Sequence, residues 1–170
     1  MGRGPARASV NPGQDWSRLR GKQATPRAPS AAGKLAHPSV PHALKLQPYI
    51  QVDATAFTLT QEELVQRRGR PWRSQRNGVG LDEMDYGDVV YRFQESGRLE
   101  EITLQAQVVA IGNVVVPFDA LAAFVRGQDD GAFERAGFLV SPRFGLAFDP
   151  TEPFWVTALA RHCIPEWEAL

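Results

Sequence analysis

A chain of 170 residues, 43% of them hydrophobic, is long enough for one domain with a real core, and its single cysteine, Cys163, excludes an internal disulfide and a Cys-based zinc site of the usual four-ligand kind. The formal net charge of zero averages two unlike regions: residues 1–47 hold eight Lys or Arg against one Asp, about +7, and residues 48–170 hold eleven basic against eighteen acidic side chains, about −7. No run of about 18 apolar residues is present to span a bilayer as a helix, and no apolar stretch of a secretory signal follows Met1, so a cytoplasmic protein with no membrane partner is expected.

Residues 1–44 carry Pro5, Pro12, Pro26, Pro29, Pro38 and Pro41 among Gly, Ala, Ser and Arg, with no periodic apolar pattern. Such a composition cannot bury enough surface to offset chain entropy, and it predicts a disordered basic tail. The bases Arg3, Arg7, Arg18, Arg20, Lys22, Arg27 and Lys34 are dispersed, and only Trp16 offers a ring for stacking, which favours a flexible tail over a nucleic-acid arm. A single folded domain is expected over residues 45–170. Leu44, Leu46, Tyr49 and Ile50 lead into it, and Gln51 to Phe57 reads as a short extended segment.

Thr60 and Glu63 form a T-x-x-E capping box, so a helix starts there and runs to about Arg68. Gly69 and Pro71 stop it. A polar loop follows. Val89, Tyr91 and Phe93 then alternate with Val90, Arg92 and Gln94, which predicts a half-buried strand with a mostly polar second face. Glu95, Ser96 and Gly97 turn the chain into a second strand through Leu99, Glu101 and Thr103, completing a hairpin.

Val108 to Ile111, Gly112 with Asn113, and Val114 to Val116 read as another hairpin, apolar on both faces. Pro117 ends it. Phe118, Leu121, Ala122 and Val125 have helical spacing over Asp119 to Arg126, with Gly127 as the stop and further helical turns over Gln128 to Ala136, capped by Asp129 or Asp130 with Phe133 inward. Gly137 to Asp149 turns at Ser141, Pro142 and Arg143 into a third hairpin. Phe154 to Leu159 reads as either a last strand or the start of a helix, with strand preferred as far as Thr157 because Trp, Val and Thr suit a pleated surface, and Trp167 is expected to pin the C-terminus. The expected class is α+β: an antiparallel sheet of hairpins with short helices packed on one face. Residues 57–105 and 106–160 share one order of elements, which suggests two degenerate repeats.

The run LTQEELVQRRGRP, followed by Asn77, EMDYGDVVYRF and GRLEEI, resembles the unit shared by small outer-membrane assembly lipoproteins and β-lactamase inhibitor proteins. There a Thr-capped helix ending at Gly-x-Pro leads into an antiparallel sheet, and Thr60, Gly69, Pro71, Tyr86 and Phe93 stand at the matching positions. The chain departs from that pattern in lacking a lipobox cysteine and in its polar, Arg-rich spacer from Pro71 to Tyr86. GFLVSPRFGLAFDP followed by FWVTAL is similar in style to immunity partners of bacterial polymorphic toxins. Both likenesses imply proteins that act by binding other proteins.

Reactive groups are sparse. His37 and His42 fall in the tail, and His162 and Cys163 are sequence neighbours, which on a strand would face opposite ways and so argue against a dyad. Asp82, Glu83, Asp85 and Asp88 lack the glycine and terminal glutamate of a calcium loop, and Gly78 with Gly80 needs only a turn. Arg67, Arg68, Arg70, Arg73 and Arg76 flank Trp72, and pairing with those acidic groups is favoured over RNA binding. The expectation is therefore a protein that is not an enzyme and holds no cofactor or metal. It would be an immunity or inhibitor protein whose Asp82, Glu83, Asp85 and Asp88 meet a basic partner, with Trp72 and Tyr86 as anchors. The alternative is a nucleic-acid-binding adaptor using the tail and Arg67 to Arg76.

Overall fold

The computed structural model describes residues 43–170, so the expected tail over residues 1–42 lies outside the described residues. Its expected end at residue 44 is corrected: Ala43 and Leu44 already belong to the first strand, and Leu44 is wholly buried. In chain order the strands are β1 (Ala43–Gln47), β2 (Gln51–Val52), β3 (Thr55–Ala56), β4 (Arg73–Arg76), β5 (Asp82–Asp85), β6 (Val89–Phe93) and β7 (Leu99–Gln105). They continue with β8 (Val108–Ile111), β9 (Val114–Pro117), β10 (Phe133–Arg135), β11 (Phe138–Ser141), β12 (Leu146–Phe148) and β13 (Trp155–Leu159). The helices are α1 (Gln61–Arg68), α2 (Phe118–Gln128) and α3 (Ile164–Glu168), the last entered through a 3-10 turn over Arg161–Cys163. None of the described helices is long and apolar enough to cross a membrane.

The strands form two sheets in an α+β fold. The larger has eight strands in the order β10-β11-β12-β13-β7-β6-β5-β4, every pair antiparallel. The smaller has five, β3-β2-β1-β8-β9, in which β1 and β8 run parallel from Ala43↔Val108 to Leu46↔Ile111. The purely antiparallel expectation is corrected there: parallel neighbours need a long crossover, and the whole stretch from β2 to β7 supplies it.

The main core lies between these sheets. Leu44, Leu46, Val109 and Val116 from the smaller sheet join Tyr91, Phe93, Ile102, Val156 and Phe148 from the larger, and Leu64 of α1 and Leu121 of α2 close the flanks. A second cluster covers part of the other face of the larger sheet, where Phe138, Val140, Ala147 and Leu159 meet Cys163, Ile164 and Trp167. Trp167 does pin the C-terminus, its ring edge-on to Phe138 and its indole N–H donating to Glu101 Oε1 at 3.2 Å. Strand alternation explains the pair of clusters, because Leu139 points into one and Phe138 and Val140 into the other.

Several boundaries differ from the pattern reading. The capping box is present, with Glu63 N–H donating to Thr60 Oγ1 and Thr60 N–H donating to Glu63 Oε2, and Gly69 ends α1 at φ 79°. The polar loop after it instead contains β4 and β5, polar strands held in register by Arg76↔Asp82 and Gln75↔Glu83. All five residues of β6 are buried, so it has no wet face. Arg92 lies along the sheet between Glu83 and Glu101, covering the face that was expected to be polar and exposed. Gly127 sits inside α2, and no helix continues to Ala136. The Asp129 carboxylate instead accepts from Gly131 N–H, Ser141 Oγ and Arg143 N–H, which turns the chain into β10. The β8–β9 hairpin is not buried on both faces, since Val114 and Val115 are exposed.

Candidate functional site

The six side chains singled out by sequence lie around the outer end of the larger sheet; ion pairs within the chain take up three of them, Asp82, Glu83 and Asp88, and hydrogen bonds to backbone groups hold Asp85 and Tyr86. Asp88 accepts both Nη2 contacts of Arg68 at 2.9 and 3.0 Å. Asp82 lies 4.0 Å from Arg76. Glu83 accepts from Arg92 Nε at 2.9 Å and from Gln75 Nε2 at 3.1 Å, and Asp85 takes the Gly87 N–H at 2.7 Å. Tyr86 is buried, donating its hydroxyl to Gly69 O at 3.0 Å beneath the Arg68 guanidinium, and that burial pushes its phenol up. Burial alone would lower Arg68, but its hydrogen bonds to Tyr91 and Asp88 hold it above its ordinary value. An open groove of about 520 Å³ runs beside this pair, floored by Val89, Ile102 and Leu104 under the turn at Asp53.

Trp72 is the exception: it is 84% exposed. Its N–H donates to Asp85 O at 2.8 Å, which fixes the backbone, and its ring lies flat against Gly87. A Cβ at Gly87 would stand 2.4 Å from the ring, and Gly87 has φ +87°, so both space and conformation require glycine there. Beyond Trp72, β4 is a sheet edge. Asn77 N–H donates to Leu81 O, and the register pairs Gln75 with Glu83, so alternation leaves Ser74 with its N–H and C=O turned outward. Among the described residues, no ion pair involves Arg67 of α1, Arg70 of the loop after it, or Arg73, the first residue of β4.

A second constellation was not foreseen. Between β6 and β7 the register slips, with Arg92 opposite Glu101 and Phe93 opposite Leu99, so Glu100 is the extra residue of a β-bulge. The bulge turns its side chain toward the 3-10 turn, where Glu100 Oε2 lies 2.5 Å from His162 Nε2 and 3.0 Å from Cys163 Sγ. Its other oxygen accepts from Arg98 Nε at 3.0 Å, and its carbonyl accepts Ala160 N–H at 2.8 Å. Glu100 is 1% exposed, Cys163 2%, and the His162 side chain about a third. His162 and Cys163 therefore converge on one atom, against the expectation that they face apart, because they sit on a helical turn and not on a strand. Pro165 was the available signal, as proline favours the first turn of a helix.

Burial, then hydrogen bonding to Glu100, pushes the Cys163 thiol up, which favours its protonated form. Glu166, three residues after Cys163, is also raised, first by burial and then by the Glu100 charge. Sulfur, nitrogen and oxygen donors from Cys163, His162 and Glu100 lie within 4.8 Å of one another, a set suited to a divalent cation. No protein-family model matches the chain, and neither a curated protein nor a solved structure is found to be similar to it.

Proposed function

We propose that this chain is a non-enzymatic protein-binding domain of the inhibitor or immunity kind, which receives an extended segment of its partner on the open edge of β4. The observation that carries the reading is Trp72, an indole left 84% exposed with its ring seated against Gly87, where a Cβ would not fit. A large ring at a sheet edge, with only two side-chain torsions to order, buries much area on binding, which is how a few aromatic anchors dominate interfaces. The outward backbone groups at Ser74 offer strand addition, the mode in which main-chain bonds give affinity and flanking side chains give choice. Arg70 and Arg73 suit acidic side chains on the added strand, while the acidic excess over residues 48–170 steers a basic partner from further away.

An internal repeat belongs to the same reading. One half runs three short strands, β1 to β3, then a helix and the four antiparallel strands β4 to β7; the other runs the β8–β9 hairpin, a helix and the four antiparallel strands β10 to β13, and the halves meet edge to edge at β7 and β13. That order supports a duplicated unit of helix followed by antiparallel sheet, and a unit of that kind is what the resemblance carried by Thr60 to Ile102 implies.

A photoreactive side chain at Ser74, expressed in the host cell, is expected to trap the partner. The trapped protein should then bind the purified full chain with affinity weakened roughly thirtyfold by Trp72→Ala and comparably by Ser74→Pro, which removes an outward N–H and spares the β5 ladder. Val115→Ser, on the far sheet, should leave binding unchanged. Wild-type affinity in both edge variants would rule the proposal out.

A further inference from the structure

We propose that Glu100, His162 and Cys163 form a binding site for a single zinc-class divalent cation, which clasps the C-terminal turn to the bulge in β7. This site is remote from Trp72 in sequence and independent of the partner-binding reading.

The geometry is close to what such an ion needs. Zinc bond lengths of about 2.0–2.3 Å put tetrahedral ligand atoms about 3.3–3.5 Å apart. The present separations are 2.5 Å for His162 Nε2 to Glu100 Oε2 and 3.0 Å for Cys163 Sγ to the same oxygen. Entry of the ion therefore asks the His162–Glu100 pair to part by about 0.8 Å and the Cys163–Glu100 pair by about 0.5 Å, a rotation of the Glu100 and His162 side chains. The alternative to an ion, a carboxylate held by a thiol and an imidazole, is the arrangement now seen.

The scaffold is built for fixed ligands. Glu100 reaches the turn only because the bulge inserts it, and bulges re-aim single side chains at sites. Ala160 N–H holds the Glu100 carbonyl, so strand and turn are locked together beside the ligands. Arg98 takes Oε1 and leaves Oε2 as the single coordinating oxygen, the kind of outer support that orients a first ligand. His162, about a third exposed, marks the side of entry.

The donor set also selects the metal. A thiolate with an imidazole and one carboxylate favours zinc over magnesium or calcium, which take oxygens alone. On binding, the Cys163 S–H bond breaks, sulfur gives its electron pair to the cation, and the proton leaves to solvent. His162 binds through an unprotonated Nε2, its N–H then on Nδ1. The cation supplies the positive charge that lets a buried thiolate exist beside Glu100, and binding tightens as pH rises because a proton is released.

The full chain, reduced and stripped with a chelator, is titrated with cobalt(II) and then zinc. The expected result is a thiolate-to-cobalt charge-transfer band with the visible bands of a four-coordinate ion, bleached by stoichiometric zinc, and a melting temperature raised by zinc. Cys163→Ser should abolish the charge-transfer band, and Glu100→Gln and His162→Ala should each weaken zinc affinity at least about tenfold. A variant lacking His37 and His42 should bind as the wild type does. No charge-transfer band in the folded wild-type chain, or zinc affinity unchanged in Glu100→Gln and His162→Ala, would overturn the site.

Discussion

Arg92 is one guanidinium held between two nearly buried carboxylates. Its Nε lies 2.9 Å from Glu83, its Nη1 3.4 Å from Glu101 and 2.7 Å from Thr103 Oγ1, and Thr103 in turn meets Thr157 Oγ1 at 2.9 Å. The chain thus crosses four neighbouring strands, β5, β6, β7 and β13, with polar contacts that water cannot readily replace. A buried pair adds little over a hydrophobic isostere, because desolvation offsets the attraction. Removing one partner is another matter. Arg92→Ala leaves Glu83 and Glu101 facing each other without a cation, and should cost about 3–5 kcal/mol in urea unfolding at neutral pH. Adding Glu83→Gln and Glu101→Gln to that variant should recover most of the loss. If the triple variant is no more stable than Arg92→Ala, uncompensated charge is not the cause.

At the scale of the element, α1 is a short helix with only Leu64 buried, so its ends matter more than its face. The Thr60 N–H and then the Thr60 hydroxyl hold the Glu63 carboxyl below its ordinary value. A carboxyl depressed on folding contributes stability that is present above its unfolded value, about 4.3, and is lost as pH falls through the folded value. Glu63→Gln should therefore lower the melting temperature at pH 7, and the gap to the wild type should narrow as the pH falls from the unfolded value through the folded one. Thr60→Ala should cost about 1 kcal/mol at neutral pH. A gap in Glu63→Gln that does not narrow on acidification would count against the capping carboxylate.

The legibility of each element follows from the range of its contacts. The capping box was readable because its partners are three residues apart, and the β6–β7 and β11–β12 hairpins because turn residues and apolar alternation agree over a few positions. β4 and β5 were not, since RSQR and DEMD owe their strand form to cross-strand charge pairs and not to apolar content. Tyr86 and Trp72 look equivalent as aromatic residues in an arginine-rich stretch, yet one is roofed by Arg68 and the other stands in solvent, a difference that tertiary packing alone decides. The Glu100 constellation joins residues 62 apart through a bulge, which leaves no mark in the letters.

At the scale of the whole molecule, the two halves of the chain are joined twice. In the larger sheet β13 pairs with β7 from Trp155↔Gln105 to Leu159↔Glu101, and in the smaller β1 pairs with β8. Neither half can keep its sheet edges covered without the other, and the main core draws on both sheets and both of its flanking helices. Even if the halves arose as copies of one unit, they should now unfold together, because opening either one exposes the seam strands of the other. Amide hydrogen exchange can distinguish the cases. In β6, β7 and β13 exchange should require global unfolding, with one common protection free energy that falls linearly with denaturant. Amides of β4 and β10, at the two ends of the larger sheet, should exchange through local fraying at much lower free energies. Two separate protection levels, one for β4 to β7 and another for β10 to β13, would mean that the seam is a docking surface between independent units and not the centre of a single fold.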